Sequence, residues 1–119
     1  MEKKYNYNAK IIDIHDGDTL NVLVDLGFNL SQEMTVRLFG LNAPELRVRN
    51  ENNKLVENVL GTKTLTELKR LIPIGSDVIL ETKKDKKEKY GRYLGIILKD
   101  GININNYLLE NNLATILKY

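Results

Sequence analysis

The stretch AKIIDIHDGDTLNVLV, from Ala9 to Val24, decides how this chain folds. Apolar residues gather between Ala9 and Ile14 and stop at Asp16-Gly17, after which Leu20, Val22 and Val24 alternate with Thr19, Asn21, Leu23 and Asp25. Alternation with period two puts one set of side chains on one face of a strand. A turn dipeptide between two such runs predicts a β-hairpin. Working outward, Leu26-Gly27-Phe28-Asn29 reads as a second reversal, and Met34 to Leu41 as a third strand that closes at Ala43-Pro44, where proline ends ladder pairing. The three strands predict an antiparallel meander.

Beyond it, the charged and amide-rich residues from Leu46 to Asn53 predict an exposed loop. Val56, Val59 and Leu60 then open a stripe of 3.6-residue period, continued by Thr64, Leu65, Leu68 and Leu71-Ile72 and stopped by Pro73-Ile74-Gly75. That is one amphipathic helix. Gly61 within it costs up to ~1 kcal/mol relative to Ala, so close packing or a late helix start must account for it. Val78, Ile79 and Leu80 predict a fourth strand and Tyr93 to Leu98 a fifth, ending at Asp100-Gly101. A short helix through Ile104, Tyr107 and Leu108 follows, with Asn103 as N-cap and Asn111-Asn112 as the stop. The order βββαββα over residues 1–119 describes a mainly β (α+β) single domain. It corresponds to a five-stranded OB-fold-like Greek-key barrel, with a helix inserted after strand 3 and a short C-terminal helix.

Composition narrows the chemistry. A chain of 119 residues buries about two-thirds of its extended surface, enough for a core without staples. No Cys is present, which excludes disulfides, thiolate metal sites and a cysteine nucleophile; His15 alone cannot build a histidine zinc site or a two-histidine acid–base pair. His15 itself reads as a polar strand-end residue beside a turn. Carboxylates and arginines remain. The net charge of +2 permits polyanion binding without arguing for it, and the run Lys83-Lys84-Asp85-Lys86-Lys87-Glu88-Lys89 reads either as a solvated loop or as a phosphate-steering segment. No apolar stretch approaches the ~20 residues of a membrane span and the N-terminus lacks a signal-peptide core, so a cytoplasmic chain is expected, or a secreted one if a leader precedes this sequence.

Polar residues collect where the strands end: Asp16-Gly17-Asp18-Thr19, Arg37, Asn42-Ala43-Pro44-Glu45 and Lys89-Tyr90-Gly91-Arg92. In this order, together with Val36-Arg37-Leu38 and with Asp100-Gly101 before a short helix to Leu113-Ala114, they resemble the thermonuclease (staphylococcal nuclease) family from about Ala9 to Tyr119. The resemblance implies a calcium-dependent nuclease acting on DNA and RNA with little sequence preference and leaving 3′-phosphates. It implies that Asp18, Asn42 and the Ala43 carbonyl ligate Ca2+, and that Arg37 and Arg92 grip the scissile phosphate. Glu45 would act through the attacking water, and Lys89 and Tyr90 would lie beside a neighbouring phosphate. Partners expected on this basis are nucleic-acid substrates, with no protein partner and no membrane, and the chain is expected to be a monomer. Two departures stand out. Asn42 occupies the place of a family aspartate, and the chain ends soon after the short helix, where the family usually continues into a longer one.

The residue types suit the chemistry. A phosphodiester repels hydroxide, so a hard cation and guanidinium groups must offset the charge that grows on its oxygens. Arg pairs with two oxygens at once, and without a useful histidine a carboxylate is the available base or water-orienting group. Three rival readings exist. One is an OB module that binds single-stranded nucleic acid without cutting it, favoured by Asn42. Another is a magnesium nuclease built on Glu81-Thr82-Lys83, and the third is a structural adaptor.

Overall fold

The structure, a computed structural model, describes residues 5–87 and 93–118. Three long strands open the chain: β1 (Tyr5–Asp16), β2 (Thr19–Gly27) and β3 (Leu30–Leu38). Short β4 (Leu41–Asn42), β5 (Arg47–Arg49) and β6 (Leu55–Glu57) precede helix α1 (Val59–Leu71). After it come β7 (Asp77–Lys87), β8 (Tyr93–Lys99), β9 (Ile102–Asn103), helix α2 (Ile104–Glu110) and β10 (Thr115–Ile116).

The main sheet runs β3-β2-β1-β7-β8-β9, and β3 also pairs in parallel with β8 through Val36–Tyr93, Arg37–Leu94 and Leu38–Gly95. That last pairing closes five strands into a barrel, as the sequence predicts. Inside lie Ile11, Ile14, Leu20, Val22, Val24, Val36, Leu38, Leu80 and Ile97, all at most 4% exposed. Burial of each such side chain contributes roughly 1.5–3 kcal/mol. Ile11 and Ile14 are three apart, a spacing at odds with a regular strand. Irregularities in the β1–β2 register between Ile11 and Asp13 absorb the extra residue, so both side chains reach the core. The second reversal is a two-residue turn with Phe28 and Asn29 at φ 54° and 60°, the backbone hand that tight hairpins require.

Helix α1 buries Gly61, Thr64 and Leu68, spaced for one face, and basic Lys69 and Arg70 occupy its last turn, where the helix dipole favours cations. The Thr64 hydroxyl donates to the Leu113 carbonyl at 2.6 Å, tying α1 to the segment after α2. In α2 the Asn103 side chain accepts from the Asn106 N–H at 3.0 Å, the cap expected from sequence, and the helix ends at Asn111 with Asn112 in the left-handed region.

Four boundaries differ from the sequence expectations. The segment from Leu46 to Asn53 is not an irregular loop, because β5 and β6 pair as a hairpin around Asn50–Asn53. Val56 belongs to β6, and Val59 and Leu60 are 77% and 55% exposed, so the helical stripe begins only at Gly61. The third strand starts earlier, at Leu30, and breaks after Leu38 before β4. The fourth strand extends through Lys87, so most of the lysine run is strand rather than loop, with Lys87 paired to Tyr93 of β8. Among the described residues, no helix is long and apolar enough to cross a membrane.

Candidate active site

The site forms where β1 turns into β2 and where β3 ends. Gly17 makes that turn possible by close approach: a Cβ there would lie 2.6 Å from both the Ala43 Cβ and the Thr64 Cγ2. The turn is thereby wedged between the segment after β4 and helix α1. Asp18, 7% exposed, follows immediately, and its carbonyl accepts from the Leu38 N–H at 2.8 Å. Thr19 stands opposite Arg37 in the β2–β3 register, which delivers the arginine to the aspartate.

Four of the residues expected from sequence converge here. The Asp18 carboxylate is held by the Ala43 N–H at 2.9 Å, by the Thr19 hydroxyl at 3.1 Å and by Arg37 Nη1 at 3.3 Å. The other terminal nitrogen of Arg37 donates to the Asn42 side-chain oxygen and, at 3.3 Å, to the Leu41 carbonyl. Arg37 therefore bridges Asp18 and Asn42. With its side chain only 15% exposed, it faces less dielectric screening than a surface arginine.

Asp16 was quoted in the sequence only as part of the turn, yet it joins the cluster. Its carboxylate accepts from the Asp18 N–H at 3.0 Å. Partial burial, reinforced by the neighbouring Asp18, raises its pKa above the ordinary aspartate value. The signal was the Asp-Gly-Asp spacing, in which a tight turn brings two carboxylates to one end of the barrel.

Glu45 follows two residues after Ala43, with an exposed side chain. Its backbone is fixed: the Asn58 side chain donates to the Glu45 carbonyl at 2.8 Å, and a Cβ on Gly61 would lie 2.2 Å from that oxygen. Close packing thus explains the glycine inside α1. Gly61→Ala gains up to ~1 kcal/mol of helix propensity but forces two backbones apart, an overpacking cost of ~1–3 kcal/mol. The expected result is net destabilisation by about 1 kcal/mol; equal stability in a urea titration would contradict it.

Arg92, Lys89 and Tyr90 lie outside the described residues. His15 is an exposed strand residue bonded to Asn21 at 3.1 Å, as its position suggested. The Glu81-Thr82-Lys83 reading fails on fold. Its strand lies in a barrel built by antiparallel pairing with β1 and β8, and Lys83 Nζ stacks over the Phe39 ring at 4.7 Å.

The donor set fits a hard cation in kind. The Asp18 carboxylate, the Asn42 amide oxygen and the Ala43 carbonyl all offer oxygen atoms, the donor type a hard cation takes. The charge count is low: among the described residues, no three Asp, Glu, His or Cys side chains form a metal-holding group.

Comparison with known proteins agrees with this architecture. Residues 35–119 match the family described as staphylococcal nuclease homologue. The chain is 30% identical over 108 residues to an uncharacterized protein of Bacillus anthracis, covering 91% of this chain and 46% of that one. It is 30% identical over 129 residues to the uncharacterized protein MJ1439 of Methanocaldococcus jannaschii, covering 96% and 57%. Endonuclease YhcR of Bacillus subtilis matches at 29% over 111 residues, 91% of this chain and 9% of that enzyme. The chain thus spans about half the length of the first two relatives and a small part of the third. With the barrel closed by β3 and β8 and a family match over most of its length, the chain belongs to the staphylococcal nuclease homologue family.

Proposed function

We propose that the chain is a metal-dependent nuclease that hydrolyses phosphodiester bonds in DNA or RNA with little sequence preference and leaves 3′-phosphates. The observation that supports this best is the convergence of Arg37, Asp18 and Asn42 at the strand ends. Asp18, Asn42 and the Ala43 carbonyl would hold Ca2+, which supplies positive charge to the phosphate oxygens when bound. Arg37, already oriented by Asp18, turns a terminal nitrogen from neutral Asn42 to an anionic phosphate oxygen, a stronger charge-assisted bond. Glu45, exposed and fixed at its backbone, accepts the proton of the attacking water or orients that water. A carboxylate is a weak base toward water, so most of the acceleration comes from electrostatic stabilisation. Arg92 is proposed as the second phosphate ligand, with Lys89 and Tyr90 beside a neighbouring phosphate.

A second reading, binding without cleavage, is favoured by Asn42, which removes one negative charge from the cation site. Digestion of single-stranded DNA, duplex DNA and RNA with Ca2+ and with EDTA separates the two. Cleavage that disappears with EDTA is expected; retention of intact strands under both conditions would favour the binding module. Because hard-cation affinity follows ligand charge, Asn42→Asp is expected to tighten Ca2+ binding on the order of tenfold. Isothermal titration showing equal affinities would place the cation elsewhere.

A further inference from the structure

We propose that the β5–β6 hairpin is a second phosphate-binding element, which holds the nucleic-acid strand on the Glu45 side of the site through Arg47 and Arg49. The identity of the ligand rests on the nuclease reading above. Arg47 lies directly across from Glu57 in the hairpin register, yet the Glu57 carboxylate is taken by the Thr62 hydroxyl at 2.8 Å. Among the described residues, Arg47 has no acidic partner. Arg49 donates from one terminal nitrogen to the Asn53 carbonyl at 2.9 Å and has no acidic partner among them either. Both are exposed. As residues two apart on a strand they share one face, ~6.6 Å apart along it, while Val48 and Val56 take the other.

Exposed arginines are ordinary; the stiffness of this frame is not. The Asn50 side chain accepts from the N–H groups of Asn52 and Lys54 at 2.9 and 3.0 Å, and Asn53 adopts a φ of 59° to close the turn. At the base, the Asn58 N–H donates to the Leu46 carbonyl at 2.8 Å, and the Asn58 side chain bonds the Glu45 carbonyl. One residue separates Glu45 from β5, so the hairpin is tied closely to the Glu45 backbone. A pre-ordered frame lowers the entropy cost of gripping a ligand. Successive phosphates of a strand lie farther apart through space than the ~3.4 Å axial spacing of its charges, so the two guanidinium groups can meet neighbouring phosphates. Their planar forks suit phosphate oxygens, and such contacts position a strand without reading its bases.

The test is fluorescence anisotropy in EDTA, over a range of salt, with a labelled single-stranded oligonucleotide and a labelled dinucleotide. For the double variant Arg47→Gln/Arg49→Gln, the slope of log affinity against log salt for the oligonucleotide is expected to shrink by about 1.4, and dinucleotide affinity to stay unchanged. Arg47→Lys/Arg49→Lys should retain most of the slope, and Lys69→Gln, which removes a charge on the last turn of α1, should leave it intact. An unaltered slope in the glutamine variant, or an equal loss in Lys69→Gln, overturns the proposal. Because binding is read without cleavage, hairpin-dependent binding by a protein that cuts nothing sustains this inference and removes the nuclease reading. Cleavage by a protein whose hairpin variants bind like the parent does the reverse.

Discussion

Arg37→Ala is expected to lower turnover on single-stranded DNA by about 100- to 1000-fold, the cost of ~3 to 4 kcal/mol usual for loss of one transition-state donor. The geometry adds a second effect. Arg37 is also the counter-charge of Asp18, whose side chain is only 10% exposed, so its removal strands a carboxylate that still accepts from the Ala43 N–H and the Thr19 hydroxyl. Stability of the variant should therefore fall, and Ca2+ should restore more of it than in the parent, because the cation becomes the remaining compensation. Thermal melts with and without Ca2+ alongside single-turnover kinetics separate the two roles. Turnover within a few-fold of the parent would remove Arg37 from the catalytic set, and an equal calcium response in both proteins would remove Asp18 from the cation site.

Asn105→Ala is expected to destabilise the fold by about 3 kcal/mol and lower Tm on the order of 10 °C, the largest effect foreseen away from the site. Asn105 is 3% exposed, and its side chain accepts from the Ile97 N–H at 3.1 Å while donating to the carbonyls of Phe39 at 3.0 Å and Gly95 at 3.1 Å. Those groups lie where β3 and β8 meet to close the barrel, and the Phe39 N–H itself donates to Gly95 at 2.8 Å. Truncation leaves the Ile97 N–H buried without that acceptor, and an orphaned group of this kind costs ~1–3 kcal/mol beyond the lost packing. Activity measured well below the lowered Tm should change little. A loss under about 1 kcal/mol by denaturant titration would show that the seam closes without this amide.

Asn105 also marks the limit of what could be read in advance. Its neighbour Asn103 was legible as a helix cap because capping depends on residues three apart in sequence. Asn105 was not, because its partner Phe39 is 66 residues away in the chain and meets Gly95 and Asn105 only when the barrel closes. The same distinction separates the site residues. Asp18, Arg37 and Asn42 were picked out by type and by position at strand ends. The bridge by which Arg37 joins Asp18 to Asn42, and the inclusion of Asp16, depend on register and burial that no local pattern encodes.

The lysine run shows the opposite error. Charge repulsion between Lys83 and Lys87 argues for a loop in isolation, yet β7 continues through the run to Lys87, which pairs with Tyr93 of β8. Likewise the alternation of Leu46, Arg47, Val48 and Arg49 is too short to announce a strand, and the hairpin there is fixed by the Asn50 side chain and by its anchor at Asn58.

What the sequence determined by itself was the five long strands and the two helices: period-two alternation, turn dipeptides, one helical stripe and a cap are local properties, set by backbone geometry within a few residues. What tertiary structure alone decided was how they meet. The parallel closure of β3 on β8, the glycines pressed against Ala43, Thr64 and the Glu45 carbonyl, and the assembly of the carboxylates with Arg37 all join residues far apart in the chain. Such contacts exist only after the chain has met the entropy cost of closing its loops, so their energies are properties of the assembled barrel rather than of any segment.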